Sequence, residues 1–147
     1  MNTQTLLSIV ADQREELLAN DYSELCPRPE ESQLDLKSNR AQVVIGVRRC
    51  GKSTLCEMFL KQKGIDFAYV NFDDDRMEDM KASDLDHLLE ALYMTYGEFK
   101  YLFLDEIQNI EGWPLFVNRL LRQKMHLFIT GSNSKLLSKE LSTHLTG

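Results

Sequence analysis

Residues 46 to 53 constrain the fold of this chain more than any other stretch. They match the pattern G-x-x-x-x-G-K-[ST] at every fixed position, with Gly46 and Gly51 as the glycines and Lys52 and Ser53 after them. Glycines at these places let backbone N–H groups approach an anion, and a helix that starts here adds the positive end of its dipole. In this pattern, called Walker A, the lysine contacts the β- and γ-phosphates and the hydroxyl is a Mg²⁺ ligand. The sequence therefore predicts a phosphate-binding loop, in which Lys52 also serves catalysis.

The sequence on either side of this loop supports the same interpretation. Residues 42–45 form a short apolar run typical of a buried strand, and Leu55, Met58 and Phe59 recur at helical spacing. Strand, loop and helix in this order are what a phosphate-binding loop requires, and the alternative is a chance match within a glycine turn. The predicted nucleotide-binding residues are Gly46, Val47, Arg48, Arg49, Cys50, Gly51, Lys52, Ser53 and Thr54.

A second apolar run, residues 101–104, leads directly into Asp105 and Glu106. Such a run followed by two acids means little alone, but with a complete loop on the same chain it matches the Walker B pattern. In that pattern one carboxylate lies beside Mg²⁺ and the next beside the water that attacks the γ-phosphate. We therefore predict Ser53 and Asp105 as metal ligands, and Glu106 as the catalytic residue that orients and polarises the water.

Two further polar stretches follow apolar runs. The run 127–130 ends in short polar side chains that could sense a γ-phosphate, and an ordinary turn is the alternative. The predicted sensor residues are Thr130, Ser132 and Asn133. An acidic cluster, Asp73 to Asp75 with Glu78 and Asp79, follows the run 67–72, where a functional acid or, more often, a solvated turn is expected.

The apolar runs together predict an α/β fold. Runs 42–45, 67–72, 101–104 and 127–130 are near-continuous, and each is followed by a helical pattern, as in a parallel sheet with both faces covered. A further helix is expected from Thr3 to about Asn20, and Pro27 and Pro29 block a helix in the polar connection behind it. We therefore divide the chain into residues 1–38, a helix with an irregular connection, and residues 39–147, the phosphate-loop core.

Some details of the helices are also predicted. Ser83 and Asp86 resemble a capping pair for a helix that ends at Gly97, and Trp113 repeats with other apolar residues as part of the core. The apolar side of the N-terminal helix is expected to dock on the core through Leu6, Leu7, Val10, Leu17 and Leu18.

Composition narrows the class of protein. A net charge of −6 argues mildly against a non-specific nucleic-acid surface, although a local basic patch and a nucleic-acid partner stay open. Three cysteines without C-x-x-C spacing predict free thiols and no structural metal. Neither an apolar run of membrane-spanning length nor a secretory signal is visible, so no membrane partner and a cytoplasmic location are expected.

Three motifs together resemble the AAA_14 type of prokaryotic AAA-like ATPase: residues 46–54, residues 104–108 (Leu-Asp-Glu-Ile-Gln), and residues 129–133 with residues 145–147. The resemblance covers residues 39–147. It implies a three-layer P-loop fold of the additional-strand-catalytic-glutamate type, with the sensor strand between the Walker A and Walker B strands, and it implies ATP and Mg²⁺. In this family an ATPase domain usually precedes a C-terminal domain of unknown function.

The resemblance also implies an incomplete core. Family members typically continue past the position of Gly147 with an arginine and a further strand, so we expect the last strand and a C-terminal domain to be missing. The missing strand and an arginine that reaches the γ-phosphate are expected from that domain or from a neighbouring subunit. The chain alone should therefore be weakly active or inactive.

The function expected from the sequence is Mg²⁺-dependent binding and hydrolysis of ATP that drives or switches an attached or partner domain. Two alternatives stay open, a regulatory module that binds ATP or ADP with little turnover, and a small-molecule or nucleotide kinase. Adjacent Asp105 and Glu106 favour hydrolysis, and no stretch indicates the arginine-bearing lid that a kinase usually needs.

Overall fold

The computed structural model describes residues 1–19, the backbone of residues 42–45, residue 57 and residues 60–131. The predicted loop, residues 46–54, lies outside the described residues. So do the connection from 20 to 41 and the predicted last helix after residue 132.

Four strands form one parallel sheet in the described part of the chain. They are β1 (Gln42–Ile45), β2 (Ala68–Asn71), β3 (Tyr101–Asp105) and β4 (His126–Gly131), in the order β1-β4-β3-β2. Strand β4 therefore lies between β1 and β3, which confirms the expected position of the sensor strand between the Walker A and Walker B strands. All four predicted apolar runs are strands.

Three helices have both ends in the described residues: α1 (Thr3–Ala19), α2 (Leu85–Tyr96) and α3 (Trp113–Arg122). Residues 57 and 60–62 are helical as well, and Gly64, whose φ of 67° suits glycine, lies in the turn behind residues 60–62. The N–H groups of Gly64 and Ile65 bond to the carbonyls of Lys61 and Leu60, which is the Schellman arrangement. Gly97, with φ 72°, ends α2 as predicted. None of the helices in these residues is long and apolar enough to cross a membrane.

The sheet separates two apolar clusters, because successive side chains of a strand point to opposite faces. The large cluster joins one face to α1, α2 and α3, and its strand members are Ala68, Val70, Leu102, Leu104, Leu127 and Ile129. Trp113 belongs to this cluster, as predicted. The small cluster covers the other face with Leu17, Leu60, Tyr69, Phe103 and Phe128. Both faces of the sheet are therefore covered.

Helix α1 lies at the β2 edge of the sheet and contacts both clusters. Leu6, Ile9 and Val10 join the large cluster and Leu17 the small one, while Leu18 is 63% exposed. The prediction of Leu18 as a docking residue is therefore wrong, and Ile9 was missed. Helix α1 packs around the edge of the sheet and contacts both faces. Its buried residues therefore differ from the single apolar stripe that was predicted for docking on one surface.

The predicted capping pair of α2 is also wrong. Ser83 lies inside a 3₁₀ turn, Ala82–Asp84, and α2 begins only at Leu85 without a side-chain cap. The Asp84 carboxylate instead accepts hydrogen bonds from the Lys81 N–H and from the N-terminal amine, each at 3.0 Å. Asp86 pairs with Arg119 on α3 at 2.6 Å. The 3₁₀ turn places the start of α2 two residues beyond Ser83. The spacing of Ser83 and Asp86 in the sequence therefore does not identify a helix cap.

Candidate functional site

The two predicted acids lie at the carboxyl end of β3. Asp105 is the last residue of that strand, Glu106 follows it, and Thr130 is near the end of β4. Strand β1 ends at Ile45, which is paired with Gly131, so the chain enters residue 46 at the same edge of the sheet. In open parallel sheets this edge is the ligand side. Ser132 and Asn133 lie outside the described residues, as do residues 46–54, so their positions stay predictions.

Asp105 is held by two hydroxyl groups from the strands on either side. The Tyr69 hydroxyl on β2 donates to its Oδ2 at 3.0 Å, and the Thr130 hydroxyl on β4 donates to its Oδ1. Asp105 as a whole residue is only 4% exposed. Both donors are neutral, so the negative charge of Asp105 is not cancelled by them.

Glu106 has an uncommon backbone conformation. Its φ of 59° and ψ of 48° are left-handed, which few residues other than glycine adopt, and such residues occur often at functional sites. Its N–H donates to the Thr130 hydroxyl oxygen at 3.0 Å. This conformation ends β3 and breaks the alternation of side chains that a continued strand would impose on the two acids.

The Glu106 carboxylate is held by a side chain from the following turn. Gln108 lies in the 3₁₀ turn Ile107–Asn109, and its Nε2 donates to Glu106 Oε2 at 2.7 Å. The other end of this amide, Gln108 Oε1, is buried and has no hydrogen-bond partner. The same turn is tied to β2 by Asn109, whose Nδ2 donates to the Phe72 carbonyl at 3.1 Å.

The acidic cluster after β2 differs from these two acids in its exposure to solvent. Asp73, Asp75, Glu78 and Asp79 are exposed, as expected of a solvated turn. Asp74 has a structural role, because its carboxylate accepts hydrogen bonds from the Arg76 guanidinium and from Gln13. The Arg76 side chain is the main reason why the pKa of Asp74 lies below its usual value.

The donor set at the end of β3 fits a magnesium ion that a nucleotide helps to hold. No group of three or more His, Cys, Asp or Glu side chains in the described residues could bind a metal by itself. Mg²⁺ in nucleotide sites is bound by one or two carboxylates with phosphates and water, so it does not need such a group. A carboxylate has about four acceptor positions, and a metal ion can share them with hydrogen-bond donors such as the hydroxyls of Tyr69 and Thr130.

Three residues of this region were missed from the sequence: Tyr69, Gln108 and Gln13. Tyr69 was predicted only as part of a buried strand. Gln108 was noted only as one residue of the Asp-Glu-Ile-Gln motif, without a role of its own. The period of two places Tyr69 on the face opposite Val70, but it does not show which strand lies beside β2. That information is what links Tyr69 to Asp105.

The comparisons with known proteins agree with these observations. The family model AAA_14, described as an AAA domain, matches residues 38–147. An uncharacterized protein of Methanocaldococcus jannaschii is 41% identical over 116 residues, which are 78% of this chain and 26% of that protein. An uncharacterized protein of Haemophilus influenzae is 40% identical over 114 residues, 72% of this chain and 28% of that protein. The chain thus spans about a quarter of the length of these curated relatives.

Among solved structures, Rhizobiales Trip13 aligns with a TM-score of 0.45 and 14% identity. The alignment covers 97% of this chain and 55% of that one.

Proposed function

Because the chain belongs to the AAA_14 family of AAA domains, we propose that it binds ATP with Mg²⁺ and hydrolyses it. The observation that carries the proposal is the pair Asp105 and Glu106 at the end of β3, each held by side-chain hydrogen bonds. The pair lies at the edge of the sheet where β1 leads into residue 46.

In this proposal the phosphates are bound by the loop that follows β1. Backbone N–H groups of residues 46–54 surround the phosphates, Gly46 and Gly51 allow the close approach, and Lys52 neutralises charge on the β- and γ-phosphates. Lys52 is the group whose loss is expected to weaken nucleotide binding most. Its ammonium group is the cation that the Walker A pattern assigns to the phosphates, whereas Arg48 and Arg49 occupy variable positions of that pattern.

Ser53 and Asp105 would hold Mg²⁺ in this site. When bound, the ion neutralises charge on the β- and γ-phosphates. Asp105 is suited to this role because it is ionisable, buried and fixed by two neutral donors. Thr130, Ser132 and Asn133 are proposed to sense the γ-phosphate. For Thr130 the support is its position between the two acids, with hydrogen bonds to both residues.

Glu106 is proposed to orient the attacking water and to accept its proton. Gln108 supports this role because its amide fixes one oxygen of the carboxylate. We further propose that turnover drives or switches an attached or partner domain. The support is that the family relatives are much longer than the part that this chain matches.

The test is calorimetric titration of the chain with ATP, with and without Mg²⁺. Tight binding that needs Mg²⁺ is expected for the wild type, and Lys52→Ala should weaken it by about 10- to 100-fold, since a charged hydrogen bond contributes about 1.5–3 kcal/mol. Lys100→Ala is the matched control, because Lys100 is exposed at the amino end of β3, away from the acids. Equal affinity of wild type and Lys52→Ala would contradict the proposal.

Phosphate release then separates hydrolysis from the two alternatives. An ATPase releases phosphate without an added acceptor, a kinase transfers it to one of a panel of acceptors, and a regulatory module binds ATP with little of either. Phosphate release that needs no acceptor and is lost in Glu106→Gln supports the proposal. Release that depends on an acceptor would favour the kinase.

A further inference from the structure

We propose that Tyr69 is a positioning residue of this site, whose hydroxyl holds the Asp105 carboxylate in the orientation that Mg²⁺ binding requires. The inference rests on the proposed function, since it concerns how the metal ligand of that site is fixed. Neither of the two nucleotide-binding motifs includes Tyr69, which lies on a different strand from both.

Strand pairing explains how Tyr69 reaches Asp105. Tyr69 on β2 is paired with Phe103 on β3, and Asp105 follows Phe103 by two residues, so all three side chains share one face of the sheet. The Tyr69 hydroxyl spans the step from Phe103 to Asp105 and donates to Oδ2 at 3.0 Å. A shorter side chain at this register would not reach the carboxylate.

The ring of Tyr69 is fixed by its packing. It is 7% exposed and belongs to the small cluster with Leu60 and Phe128. It also meets the ring of Phe103 edge to face, with centroids 5.1 Å apart and an angle of 62° between the planes. A ring held on several sides gives its hydroxyl one direction, so the hydrogen bond to Asp105 does not depend on a mobile side chain.

Thr130 and Tyr69 act on opposite sides of the same carboxylate. Strands β4 and β2 flank β3, and each donates one hydroxyl to one oxygen of Asp105. With both oxygens engaged, the carboxylate cannot rotate freely. Its two oxygens therefore keep a constant orientation, which favours a metal ligand that binds without first being ordered.

The test is Tyr69→Phe in the 147-residue chain, which removes one oxygen atom and keeps the ring and its packing. ATP binding is measured by calorimetry at a series of Mg²⁺ concentrations and without Mg²⁺. We expect the Mg²⁺ concentration for half-maximal enhancement of binding to rise about two- to tenfold, as loss of one hydrogen bond predicts. The affinity for ATP without Mg²⁺ should not change.

The matched control is Tyr101→Phe. Tyr101 is at the amino end of β3, where it stacks on His126 with ring centroids 4.7 Å apart, so the same chemical change is made away from Asp105. Its Mg²⁺ requirement should equal that of the wild type.

Two results for Tyr69→Phe would overturn the inference. One is an unchanged or lower Mg²⁺ requirement, and the other is an equal loss of affinity with and without Mg²⁺, which would assign Tyr69 to packing alone. Failure of the proposed function has a different signature, because the wild type itself would then bind ATP no better with Mg²⁺ than without it. That result would refute both.

Discussion

The left-handed backbone of Glu106 is held from two sides, by Thr130 at the N–H and by Gln108 at the carboxylate. A non-glycine residue in this conformation costs on the order of 1–3 kcal/mol, so it persists only where its surroundings require it. Here the surroundings fix the direction of the Glu106 carboxylate, which follows Asp105 directly in the sequence. The conformational cost is consistent with a role of the Glu106 carboxylate in the proposed reaction.

The first prediction concerns Glu106 itself. Glu106→Gln should keep its affinity for ATP and lose hydrolysis by about 10²- to 10⁴-fold, because an amide fills the same space but cannot accept the proton of water. Single-turnover hydrolysis with prebound ATP measures this directly. Glu111→Gln, at an exposed position beyond the same turn, is the control and should hydrolyse ATP like the wild type. Unimpaired hydrolysis by Glu106→Gln would assign the base to another residue.

The second prediction concerns the pH dependence of stability. The pKa of Asp74 is lowered in the folded protein, chiefly by the Arg76 side chain, so this carboxylate stabilises the fold above the ordinary aspartate pKa of about 3.9. The contribution is lost as the pH falls toward the lowered value. Asp74→Asn should therefore reduce the free energy of unfolding by about 1 kcal/mol near neutral pH, with a difference that shrinks in acid.

Urea denaturation of both proteins at a series of pH values measures that difference. Asp75→Asn is the matched control, since Asp75 is exposed in the same turn. A difference between wild type and Asp74→Asn that stays constant from neutral to acidic pH would show that the charge of Asp74 is not the cause.

Individual residues were predictable where their own strand or helix decides their position. Trp113 in the core and Asp105 at the end of an apolar run follow from local patterns. Tyr69, Gln108 and Gln13 could not be recognised, because their roles come from contacts with other strands, or with a turn whose shape a left-handed residue sets. For Gln13 the partner is 58 positions away in the sequence.

At the scale of elements, α1 acts as a cover for the edge of the sheet. Strand β2 is at one end of the strand order, and an open strand edge invites pairing with other chains. The Gln13 amide supplies what a further strand would supply, since it donates to the Asn71 carbonyl at 2.9 Å and accepts from the Asn71 N–H at 3.0 Å. Gln13 also donates to Asp74, and Arg76 continues the connection to Asp12 on α1.

The third prediction tests this cover. Gln13 is 1% exposed and Asn71 is half-buried, so Gln13→Leu should leave the N–H and carbonyl of Asn71 without partners in a partly buried setting. At about 1–3 kcal/mol for each of the two groups, the free energy of unfolding should fall by about 2–6 kcal/mol. Gln4→Leu is the control, because Gln4 is exposed on the same helix, and it should change stability little.

Thermal or urea denaturation gives the comparison, and light scattering adds a second readout. Strand β2 with unpaired backbone groups should associate more readily, so Gln13→Leu should also scatter more light at high protein concentration. If Gln13→Leu is as stable as the wild type, the side chain does not protect the strand.

The bounds of elements were predictable to within a residue or two, and their arrangement was not. The run 42–45 is β1 as predicted, whereas β2 is one residue shorter at each end than the run 67–72. Apolar runs and glycine stops set these limits. The strand order was implied only by the family resemblance, because periodicity does not contain it, and the start of α2 was misplaced by a 3₁₀ turn.

At the scale of the whole molecule, the described sheet has β1 at its other edge, paired with β4 on one side. The fifth strand that the resemblance implies beside β1 stays a prediction, as do the C-terminal domain and the division at residue 38. The family match begins at residue 38, whereas α1 lies before it and still packs into the large cluster. Helix α1 is thus integral to the packing of the core although the matched family region does not include it.

The arginines of the described residues bear on how complete the proposed catalytic site is. Arg14 donates to the Thr95 carbonyl, Arg76 pairs with Asp74 and Asp12, and Arg119 pairs with Asp86. Arg122 is exposed in the last turn of α3. Three of these four guanidinium groups are thus engaged at other places. An arginine that reaches the γ-phosphate from outside contributes about 10³ to 10⁵ in rate in P-loop enzymes.

The last prediction follows from these arginines: turnover by the 147-residue chain at low concentration should be slow, and a neighbouring subunit or an attached domain should accelerate it. Phosphate release per chain is measured over a range of protein concentrations, and then with added Glu106→Gln protein, which should hydrolyse ATP very slowly by itself but keeps every arginine. If a second copy supplies the missing charge, the rate per wild-type chain rises with concentration and rises again with the inactive protein.

Adding Lys52→Ala protein, which should bind ATP weakly, tests whether the second copy must itself have ATP bound. A fast rate that is independent of concentration, and that neither addition changes, would mean that one chain already holds every group that hydrolysis needs, including an arginine of its own such as Arg48 or Arg49 of the loop.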